Sequence, residues 1–378
     1  MRLMFRQAML NAGISDSRTC AIGVRLKTLQ GPSLFLSQFI SDRPPFNQLD
    51  TLAAWAAGLG YKAVQLPTHL PHIFDLAKAA ESLDYCAQVR ETLGNMGLQI
   101  SELSTHFQGQ LVAVHPAYDQ AFAGFAPEAV RHDSVARQQW AVSTLKLAAR
   151  ASQNLNLTAH ATFSGSLAWP FFYPWPPHNP LLVEEAFNEL ASRWLPILNR
   201  FDEAGVDLCF ELHPGEDLHD GVTFGRFLEL TGHHPRCHIL YDPSHMLLQH
   251  MDYLGFIDRW HSRIRAFHVK DAEFRPSADS GVYGGYQPWI DRPGRFRSPG
   301  DGQIDFRAIF SKLARYDYPG WATLEWECCL KDGETGAREG AKFIAEHIIK
   351  VSSQNFENYA STRHEREAVR GMLGLEPQ

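Results

Sequence analysis

Short apolar runs alternate with helical patterns along most of this chain, and this alternation constrains the fold more than any other feature of the sequence. Such alternation is typical of parallel β/α units. Eight units of this kind fill one barrel, so we predict an α/β protein whose single domain is a (β/α)8 TIM barrel. An open doubly wound sheet is the alternative, but no Gly-rich GxGxxG turn follows the first run.

The predicted elements follow this alternation in order. The strand-like runs are Leu34–Phe39, Ala63–Pro67, Gln99–His106, Leu157–Thr162, Leu208–His213, Ile239–His245, Ala266–Asp271 and Ala322–Glu327. The first helical pattern begins near Asn47 and is closed by Gly58 and Gly60. The later helical patterns cover Asp75–Asn95, Ser134–Gln153, Val183–Ala204, Thr223–Leu230, Asp252–Trp260, Asp305–Tyr316 and Ala337–Val351. We assign residues 26–352 to the barrel, residues 1–25 to an N-terminal extension and residues 353–378 to a tail or helix packed outside the barrel.

Two segments are too long to be simple connections. Trp169–Pro177 follows the fourth run and is too rich in proline for a helix, and the glycine-rich segment Arg275–Gly302 follows the seventh. Long loops in compact domains usually bind ligands or cover a site, so we predict that both lie over the mouth of the barrel. The aromatic side chains of the first loop suit a sugar surface, although a packed surface loop is an equal alternative.

Composition limits the classes of partner. A chain of 378 residues with 44% hydrophobic and 20% charged residues is typical of a soluble globular protein, and its net charge of -7 argues against nucleic acid and anionic membranes. No apolar stretch approaches the length of a spanning helix, and the first 21 residues lack the apolar region of a signal peptide. The six cysteines form no CxxC pair, and we expect free thiols in a cytoplasmic protein.

Four of the apolar runs end in a residue type that binds metals. If the strand ends lie side by side, Glu211, Asp242 and His268 converge with one of Glu325 and Glu327. We prefer Glu325 because it lies nearer the apolar part of its strand. Three carboxylates and one imidazole suit a single divalent cation, with Mn²⁺ favoured and Mg²⁺, Co²⁺ or Zn²⁺ also suitable. The alternative is a buried network of ion pairs that closes the barrel.

This set of residues suggests proton transfer next to a carbonyl. A cation that bridges a substrate carbonyl and a neighbouring hydroxyl stabilises the enediolate that forms when the adjacent proton leaves. Glu211 and Glu325, on opposite sides of the sugar carbon, are the predicted catalytic acid and base. Reprotonation gives an isomer or epimer, whereas loss of a β-leaving group from the same intermediate gives elimination.

Further polar residues fall near the same strand ends and are candidates for substrate binding. His245 is expected to donate to a substrate oxygen, and an arginine fork suits a sugar oxygen or an anionic group. The alternative to substrate binding by Lys270 is an ion pair with Asp271. The alternative for the arginines is that they are solvated charges on a loop. The complete set of substrate-binding candidates is His245, His106, His160, His213, Glu216, Lys270, Arg295 and Arg297.

These motifs match a known family. Tyr241–His245, Phe267–Asp271, Arg295–Arg297 with the following glycines, and Leu324–Glu327 together resemble the sugar phosphate isomerase/epimerase family, the xylose isomerase-like TIM barrels. The resemblance covers roughly Leu26 to Val351. It implies that Glu211, Asp242, His268 and Glu325 bind the metal, and that His245 contacts substrate. The family includes ketose 3-epimerases, inosose dehydratases, enzymes that act on 3-keto-glycosides, and metal-dependent apurinic endonucleases.

We therefore expect a metal-dependent isomerase or epimerase of a keto sugar or keto-glycoside. A lyase or dehydratase that acts on a 3-keto-glycoside or inosose by β-elimination is the main alternative. An apurinic endonuclease would need a basic groove and more histidine ligands, and a sugar-binding module without activity would not need the complete set of ligands. The expected partner is a small carbohydrate, and a homo-oligomer is the default assembly.

Overall fold

A computed structural model describes residues 28–351 and 366–376 and shows a closed barrel of eight parallel strands with helices between them. The predicted fold class is therefore confirmed. Around the barrel the order is β1, β2, β3, β4, β5, β6, β7 and β10, and β10 pairs with β1 to close it. The strands are β1 (Gln30–Phe35), β2 (Ala63–Pro67), β3 (Gln99–Ser104), β4 (Ala159–Thr162), β5 (Asp207–Glu211), β6 (Cys237–Tyr241), β7 (Ile264–Val269), β8 (Asp271–Phe274), β9 (Gly294–Arg297) and β10 (Trp321–Leu324).

Helices connect the strands and surround the barrel. They are α1 (Leu49–Gly58), α2 (Leu76–Glu81), α3 (Leu83–Gly94), α4 (His106–Gln110), α5 (Asp119–Phe122), α6 (Ser134–Asn154), α7 (Pro180–Ala204), α8 (Gly221–Leu230), α9 (Pro243–Leu248), α10 (Tyr253–Trp260), α11 (Phe306–Arg315) and α12 (Gly333–His347). Short 3₁₀ turns lie at Ser37–Phe39, Pro116–Tyr118, Ala123–Phe125, Trp169–Phe171, Gly284–Tyr286 and Trp289–Asp291. None of the helices within the described ranges is long and apolar enough to cross a membrane.

Several predicted boundaries were wrong for local reasons. The first strand starts at Gln30, and the apolar run predicted as its second half forms a 3₁₀ turn at Ser37–Phe39. The helix predicted over Asp75–Asn95 is two helices, because the Ser82 side chain accepts a hydrogen bond from the backbone N–H of Tyr85 and starts a new helix. The loop predicted after the seventh strand contains β9, which pairs antiparallel with β8.

Alternating side chains divide each barrel strand between two environments. Phe210 on β5 points outward, where its ring contacts Trp194 of α7 and Phe227 of α8. Cys209 lies in a separate inner cluster with Ala159, Ala161, Leu240 and Ala266. Because side chains two apart on a strand share a face, Glu211, Asp242 and His268 follow inward-facing residues and also point into the barrel.

Aspartates at the helix starts fix several of the connections. The side chains of Asp133, Asp220, Asp305 and Asp332 each accept hydrogen bonds from backbone N–H groups in the first turn of the following helix. Such caps satisfy donors that have no partner within the helix, typically contributing about 1 kcal/mol each. At the C-terminal end of α7, Gly205 adopts a left-handed backbone conformation with φ of 71°, which a glycine tolerates without strain.

The chain divides into two compact units, residues 27–351 and a second unit formed by residues 1–26 with 352–378. The predicted N-terminal extension of residues 1–25 lies outside the described residues. Within the predicted tail the structure describes one helix, α13 (Arg366–Met372), in which Val369 and Met372 are exposed. Packing of this tail outside the barrel stays a prediction.

Close packing of α4 against the end of β4 leads to a first prediction. A Cβ atom on Gly109 would overlap Thr162 Oγ1 and the backbone carbonyl oxygen of Phe163, and the backbone cannot move aside cheaply. We expect Gly109→Ala to lower the free energy of unfolding by about 1–3 kcal/mol in urea denaturation. Gly124→Ala is the control, because a Cβ there meets no atom within 4 Å. Equal stability of the two variants would contradict the packing argument.

Candidate metal centre

Four acidic and imidazole side chains meet at the C-terminal end of the barrel. One ligand atom from each of Glu211, Asp242, His268 and Glu325 lies within 4.8 Å of the others, and all four residues are buried. We call this group the carboxylate–histidine cluster. The structure thus brings together the four residues predicted to bind metal.

Each member of the cluster is positioned by the strand end that carries it. Glu211 is the last residue of β5, His268 is the fifth residue of β7, and Glu325 directly follows β10. Asp242 lies between β6 and α9, and its Oδ1 accepts a hydrogen bond of 2.7 Å from the Ser244 backbone N–H. This bond leaves Asp242 Oδ2 facing the cluster.

Histidines hold the Glu211 carboxylate on two sides. His106 Nε2 lies 2.8 Å from Glu211 Oε2, and the Nδ1 atom of the same ring contacts Ser104 Oγ. His245 Nε2 lies 3.3 Å from Glu211 Oε1 and 3.4 Å from Asp242 Oδ2. His106 and His245, both predicted to bind substrate, therefore contact the cluster itself.

The orientation of His268 suits a metal ligand. Its Nε2 atom lies 3.1 Å from Gln65 Oε1, and its Nδ1 atom lies 2.9 Å from Glu325 Oε2. A second partner on the far ring nitrogen is the usual arrangement for a ligating histidine, because it fixes the tautomer and the ring plane. Gln65 thus leaves Nδ1 as the ligand atom. Gln38 similarly holds Glu325, donating from Nε2 to Oε1 at 3.0 Å.

Hydrogen bonds and positive groups around the cluster oppose the effect of burial on its carboxyls. Burial opposes ionisation of Glu211 and Glu325, but hydrogen bonds and nearby positive groups hold the pKa of both carboxyls below its ordinary value. Although burial lowers the pKa of His268, the Glu325 and Glu211 carboxylates raise it well above the ordinary value. Burial raises the pKa of Asp242 to about 6, against the influence of His245 and Lys270. A bound cation would favour the ionised carboxylates in the same way.

Lys270 is a buried cation beside the cluster. Its Nζ atom lies 3.2 Å from Glu325 Oε2 and 3.0 Å from Glu327 Oε2. Burial disfavours the charged amine, yet Glu325 and Glu327 raise its pKa well above the ordinary value. The ammonium group also lies over the Phe296 ring, 4.4 Å from its centroid. The alternative of an ion pair therefore describes Lys270, although its partners are Glu325, Glu327 and, at 3.8 Å, Asp242, and not Asp271.

Two buried oxygens in the cluster indicate whether a cation fits. Glu211 Oε1 and Asp242 Oδ2 are shielded from water and accept no well-aligned hydrogen bond among the described residues, although His245 Nε2 lies 3.3 and 3.4 Å from them. Buried carboxylate oxygens without a donor are costly, and a cation would satisfy both. Three carboxylates and one imidazole nitrogen are donors that Mn²⁺ and Mg²⁺ accept. The residues present therefore fit a divalent cation.

A cavity of about 560 Å³ opens beside the cluster. Gln38 and Glu327 connect it to the cluster, since the first donates to Glu325 and the second pairs with Lys270. Aromatic rings form much of its wall, and among the described residues that line it Glu327 alone carries a formal charge. We call this space the mouth cavity; its lining residues are Gln38, His213, Trp289, Phe296, Trp326, Glu327, Cys328 and Cys329.

His213 is the substrate-binding candidate that lines the mouth cavity. Its Nδ1 atom lies 2.6 Å from the Pro214 carbonyl oxygen, which accepts from Nδ1–H and leaves Nε2 as an acceptor. Burial, with the neighbouring His245 ring, lowers the pKa of His213 to about 3, so the ring is neutral. A hydroxyl group is a suitable donor to it, and substrate contact stays a prediction.

Other candidates are held in structural contacts. His160 does not lie at the rim: its ring is buried between β4 and the helices, with Thr105 and Ser152 hydroxyls 2.8 and 2.9 Å from its two nitrogens. This corrects the prediction for His160, and the reason is that Ala159 and Ala161 take the inward positions of β4. Burial lowers the pKa of His160 to about 3, which keeps it neutral.

The two arginines predicted to bind substrate are paired with one buried glutamate. Arg295 Nε lies 2.7 Å and Arg297 Nη1 lies 2.8 Å from Glu273 Oε1. Arg275 Nε lies 2.9 Å from the other carboxylate oxygen, Oε2. The antiparallel pairing of β8 and β9 sets Glu273 directly opposite Arg295. Neither Arg295 nor Arg297 is among the residues that line the mouth cavity. The structure thus assigns them to the hairpin, and not to substrate.

Glu216 and Asp217 hold the loop that follows β4. Glu216 accepts hydrogen bonds from the Gly165 N–H and the Ser164 hydroxyl, and Asp217 accepts from three backbone N–H groups between Leu167 and Trp169. Burial raises the pKa of Glu216 to about 8, against the effect of these hydrogen bonds. The Glu216 carboxyl group therefore binds this loop, instead of lying where the predicted contact with substrate would need it.

Sequence reasoning missed several residues that support the cluster. Gln65 and Gln38 had a visible signal, because each is a polar residue within or beside an apolar run. Glu273 and Asp217, which hold the β8–β9 hairpin and the loop after β4, had no such signal. Glu273 pairs with arginines far along the chain, and Asp217 accepts hydrogen bonds from backbone N–H groups. The choice of Glu325 over Glu327 agrees with the geometry, since Glu325 lies in the cluster and the Glu327 side chain is 42% exposed.

This barrel with its buried cluster belongs to a known class. A family model described as xylose isomerase-like TIM barrel matches residues 53–347, and the chain belongs to that family. Its similarity to curated proteins is partial. An inosose dehydratase of Bacillus velezensis is 35% identical over 126 residues, which cover 33% of this chain and 42% of the relative. The chain therefore matches less than half the length of that protein.

Solved structures share the fold over most of the chain. The probable 3-DHS dehydratase AsbF from Bacillus anthracis aligns over 84% of this chain and 99% of its own, with a TM-score of 0.56 and 16% identity. The 3-keto-D-glucoside 4-epimerase YcjR from E. coli aligns over 83% and 98%, with a TM-score of 0.56 and 11% identity. At such identities the likeness shows the fold alone.

The buried Glu216 carboxyl leads to a prediction about pH. Its pKa is about 8 in the folded protein, against an ordinary value of 4.5. Between these values the unfolded chain has lost a proton that the folded protein retains, so ionisation lowers stability as the pH rises through this window. Glu216→Gln cannot ionise. Its free energy of unfolding, relative to the wild type, should rise by about 1–4 kcal/mol between roughly pH 5 and pH 8.5.

Urea denaturation at the two pH values measures this difference. Glu229→Gln is the matched control, because Glu229 is exposed and its substitution should leave the pH dependence unchanged. If Glu216→Gln and the wild type lose stability in parallel between the two pH values, the carboxyl group is not held in its neutral form.

Proposed function

We propose that this protein is a divalent-cation-dependent enzyme that transfers a proton at the carbon next to the carbonyl of a keto sugar or keto-glycoside, and that it isomerises or epimerises this substrate. The observation that carries the proposal is the carboxylate–histidine cluster with its two unsatisfied oxygens. A cation held there would supply positive charge beside the substrate's carbonyl and hydroxyl oxygens, which makes the neighbouring proton easier to remove.

Glu211 and Glu325 are the proposed acid and base. Their surroundings differ, because Glu211 is held by the imidazoles of His106 and His245, whereas Glu325 is held by Lys270 and Gln38. Epimerisation needs a group that removes the proton on one side of the carbon and a group that returns it on the other. The two carboxylates reach the cluster from β5 and from the end of β10, three positions apart in the barrel, and would meet this need. Their different partners would let them hold the proton at different stages.

The mouth cavity supports an uncharged substrate. Its aromatic walls suit the C–H faces of a sugar, while Gln38 and His213 offer polar contacts for hydroxyl groups. Glu327, which pairs with Lys270, is the charged residue among the described residues that line the cavity, and no arginine or lysine is among them to bind a phosphate. A free or glycosidic keto sugar therefore fits this cavity better than a sugar phosphate.

Dehydration is the second candidate, and the curated relatives favour it. Curated proteins that match the chain include the inosose dehydratases of Bacillus velezensis and Geobacillus kaustophilus. Removal of the same proton leads to elimination when a hydroxyl group on the next carbon departs. The two functions share the first step and the same cluster, and they differ in whether water is released.

The exchange of protons with solvent tests both functions in one experiment. The protein, loaded with Mn²⁺, is incubated in deuterated water with a panel of ketoses, inososes and 3-keto-glycosides. Deuterium in an isomerised or epimerised product without loss of water supports the first function, and a dehydrated product supports the second. Excess chelator should abolish either reaction, and added Mn²⁺ should restore it. Exchange that persists at full rate in chelator would contradict a cation-dependent mechanism.

The two glutamates after β10 offer a direct test of the binding site. Glu325→Gln should weaken Mn²⁺ binding by at least 10- to 100-fold in titration calorimetry, because it removes a charged ligand from the cluster. Glu327→Gln is the matched control and should change the affinity by only a few-fold, since its side chain pairs with Lys270 outside the cluster. Circular dichroism confirms that both variants fold. An equal loss of Mn²⁺ affinity in both variants would contradict the assignment of Glu325 as a ligand.

A further inference from the structure

Two consecutive cysteines lie in the wall of the mouth cavity, and the proposed function does not use them. Cys328 and Cys329 follow β10 directly after Glu327, and both are free and partly exposed. Both line the cavity beside Trp326 and Phe296. The other described cysteines, Cys86, Cys209 and Cys237, are buried. Cys328 and Cys329 are therefore the accessible thiols among the described residues of the barrel unit.

The two sulfur atoms have different surroundings. Cys328 Sγ accepts a hydrogen bond of 3.4 Å from the Lys331 backbone N–H and also interacts with the Arg297 guanidinium. Cys329 Sγ instead donates to the Phe296 carbonyl oxygen at 3.8 Å, and burial raises the pKa of this thiol although the charges of Arg295 and Arg297 oppose it. The carbonyl partner engages Cys329 as a neutral thiol donor, whereas the contacts of Cys328 Sγ are with N–H groups. Of the pair, Cys328 is therefore the nucleophile.

We propose that Cys328 is a modification site at which low-molecular-weight disulfides form a mixed disulfide that obstructs the mouth cavity. The proposal deepens the proposed function, since it makes substrate access depend on thiol chemistry. A group attached to Cys328 would lie in the same 560 Å³ space as His213 and Glu327. It would leave the carboxylate–histidine cluster itself intact.

The reaction is a thiol–disulfide exchange. The Cys328 thiolate attacks one sulfur of the disulfide RSSR, a bond forms between Cys328 Sγ and that sulfur, and the S–S bond of RSSR breaks. The leaving thiolate RS⁻ departs with the electron pair and takes up a proton from water. A free thiol in excess reverses the exchange and restores Cys328.

Cys329 does not readily resolve the mixed disulfide. A bridge between consecutive residues departs from the usual disulfide geometry and is strained. In addition, the Cys329 thiol is engaged with the Phe296 carbonyl. The expected product is therefore a stable mixed disulfide on Cys328, and not a bond between the two cysteines.

Treatment with glutathione disulfide tests the site in the full chain loaded with Mn²⁺. All proteins carry Cys20→Ser, because Cys20 lies outside the described residues. After free thiols are alkylated, peptide mass spectrometry locates the adduct in the parent protein, in Cys328→Ser and in the matched Cys329→Ser. We expect an adduct on Cys328 in the parent and in Cys329→Ser, and at least about 10-fold less labelling of Cys328→Ser. Absence of an adduct on Cys328 would overturn the proposal.

Obstruction of the cavity has its own readouts. The glutathione adduct should lower substrate turnover at least about 10-fold and slow the removal of Mn²⁺ by chelator, while equilibrium affinity for Mn²⁺ stays within a few-fold. The smaller adduct from hydroxyethyl disulfide should label Cys328 equally but reduce turnover less. An adduct on Cys328 that changes neither turnover nor Mn²⁺ removal would refute the obstruction. If the untreated protein turns over no substrate, the proposed function fails, whereas adduct mapping and Mn²⁺ removal still decide this proposal.

Discussion

The meeting of three buried carboxylates at one point is the constraint on which the rest of this structure depends. Two unit charges 4.8 Å apart repel by about 3.5 kcal/mol at an effective dielectric constant near 20, so three ionised carboxylates cost about 10 kcal/mol in mutual repulsion. That cost is comparable with the whole stability of a typical domain. The residues around the cluster must therefore supply positive charge and hydrogen bonds. Lys270, His268, His106 and His245 do so in part, and a cation bound beside the two oxygens that accept no hydrogen bond would supply the remainder.

The cluster could be predicted because strand alternation and barrel topology act together. Cys209 and Glu211 share the inner face of β5, and Ala266 and His268 share that of β7. The sequence shows this pattern as a small or apolar residue two positions before each polar end. His160 breaks the pattern, since its neighbours Ala159 and Ala161 occupy the inner face of β4. The same rule that places the cluster therefore directs His160 outward, and applying it to β4 would have predicted this.

Residues held by distant partners could not be predicted in the same way. Arg295 and Arg297 looked like free loop cations, but the β8–β9 hairpin pairs them with Glu273, which lies 22 residues before Arg295 in the chain. Periodicity within one element carries no information about such a pairing. Similarly, Glu216 and Asp217 bind backbone N–H groups of the loop after β4, and any sequence in that loop would offer those groups. The strand ends were therefore predictable, whereas the contacts that shape the loops were not.

The protons available at the mouth cavity bear on how the enediolate would be used. His213 donates from Nδ1 to the Pro214 carbonyl, so its remaining nitrogen accepts a proton and does not supply one. Lys270 is an ammonium group, but its protons are shared between Glu325 and Glu327. A leaving hydroxyl group would consequently have to take its proton from Lys270 or from the carboxylate–histidine cluster. In the proposed enzyme, elimination and epimerisation would therefore compete for the same few protons, and the position of the substrate's hydroxyl groups relative to Glu211 and Glu325 would decide between them.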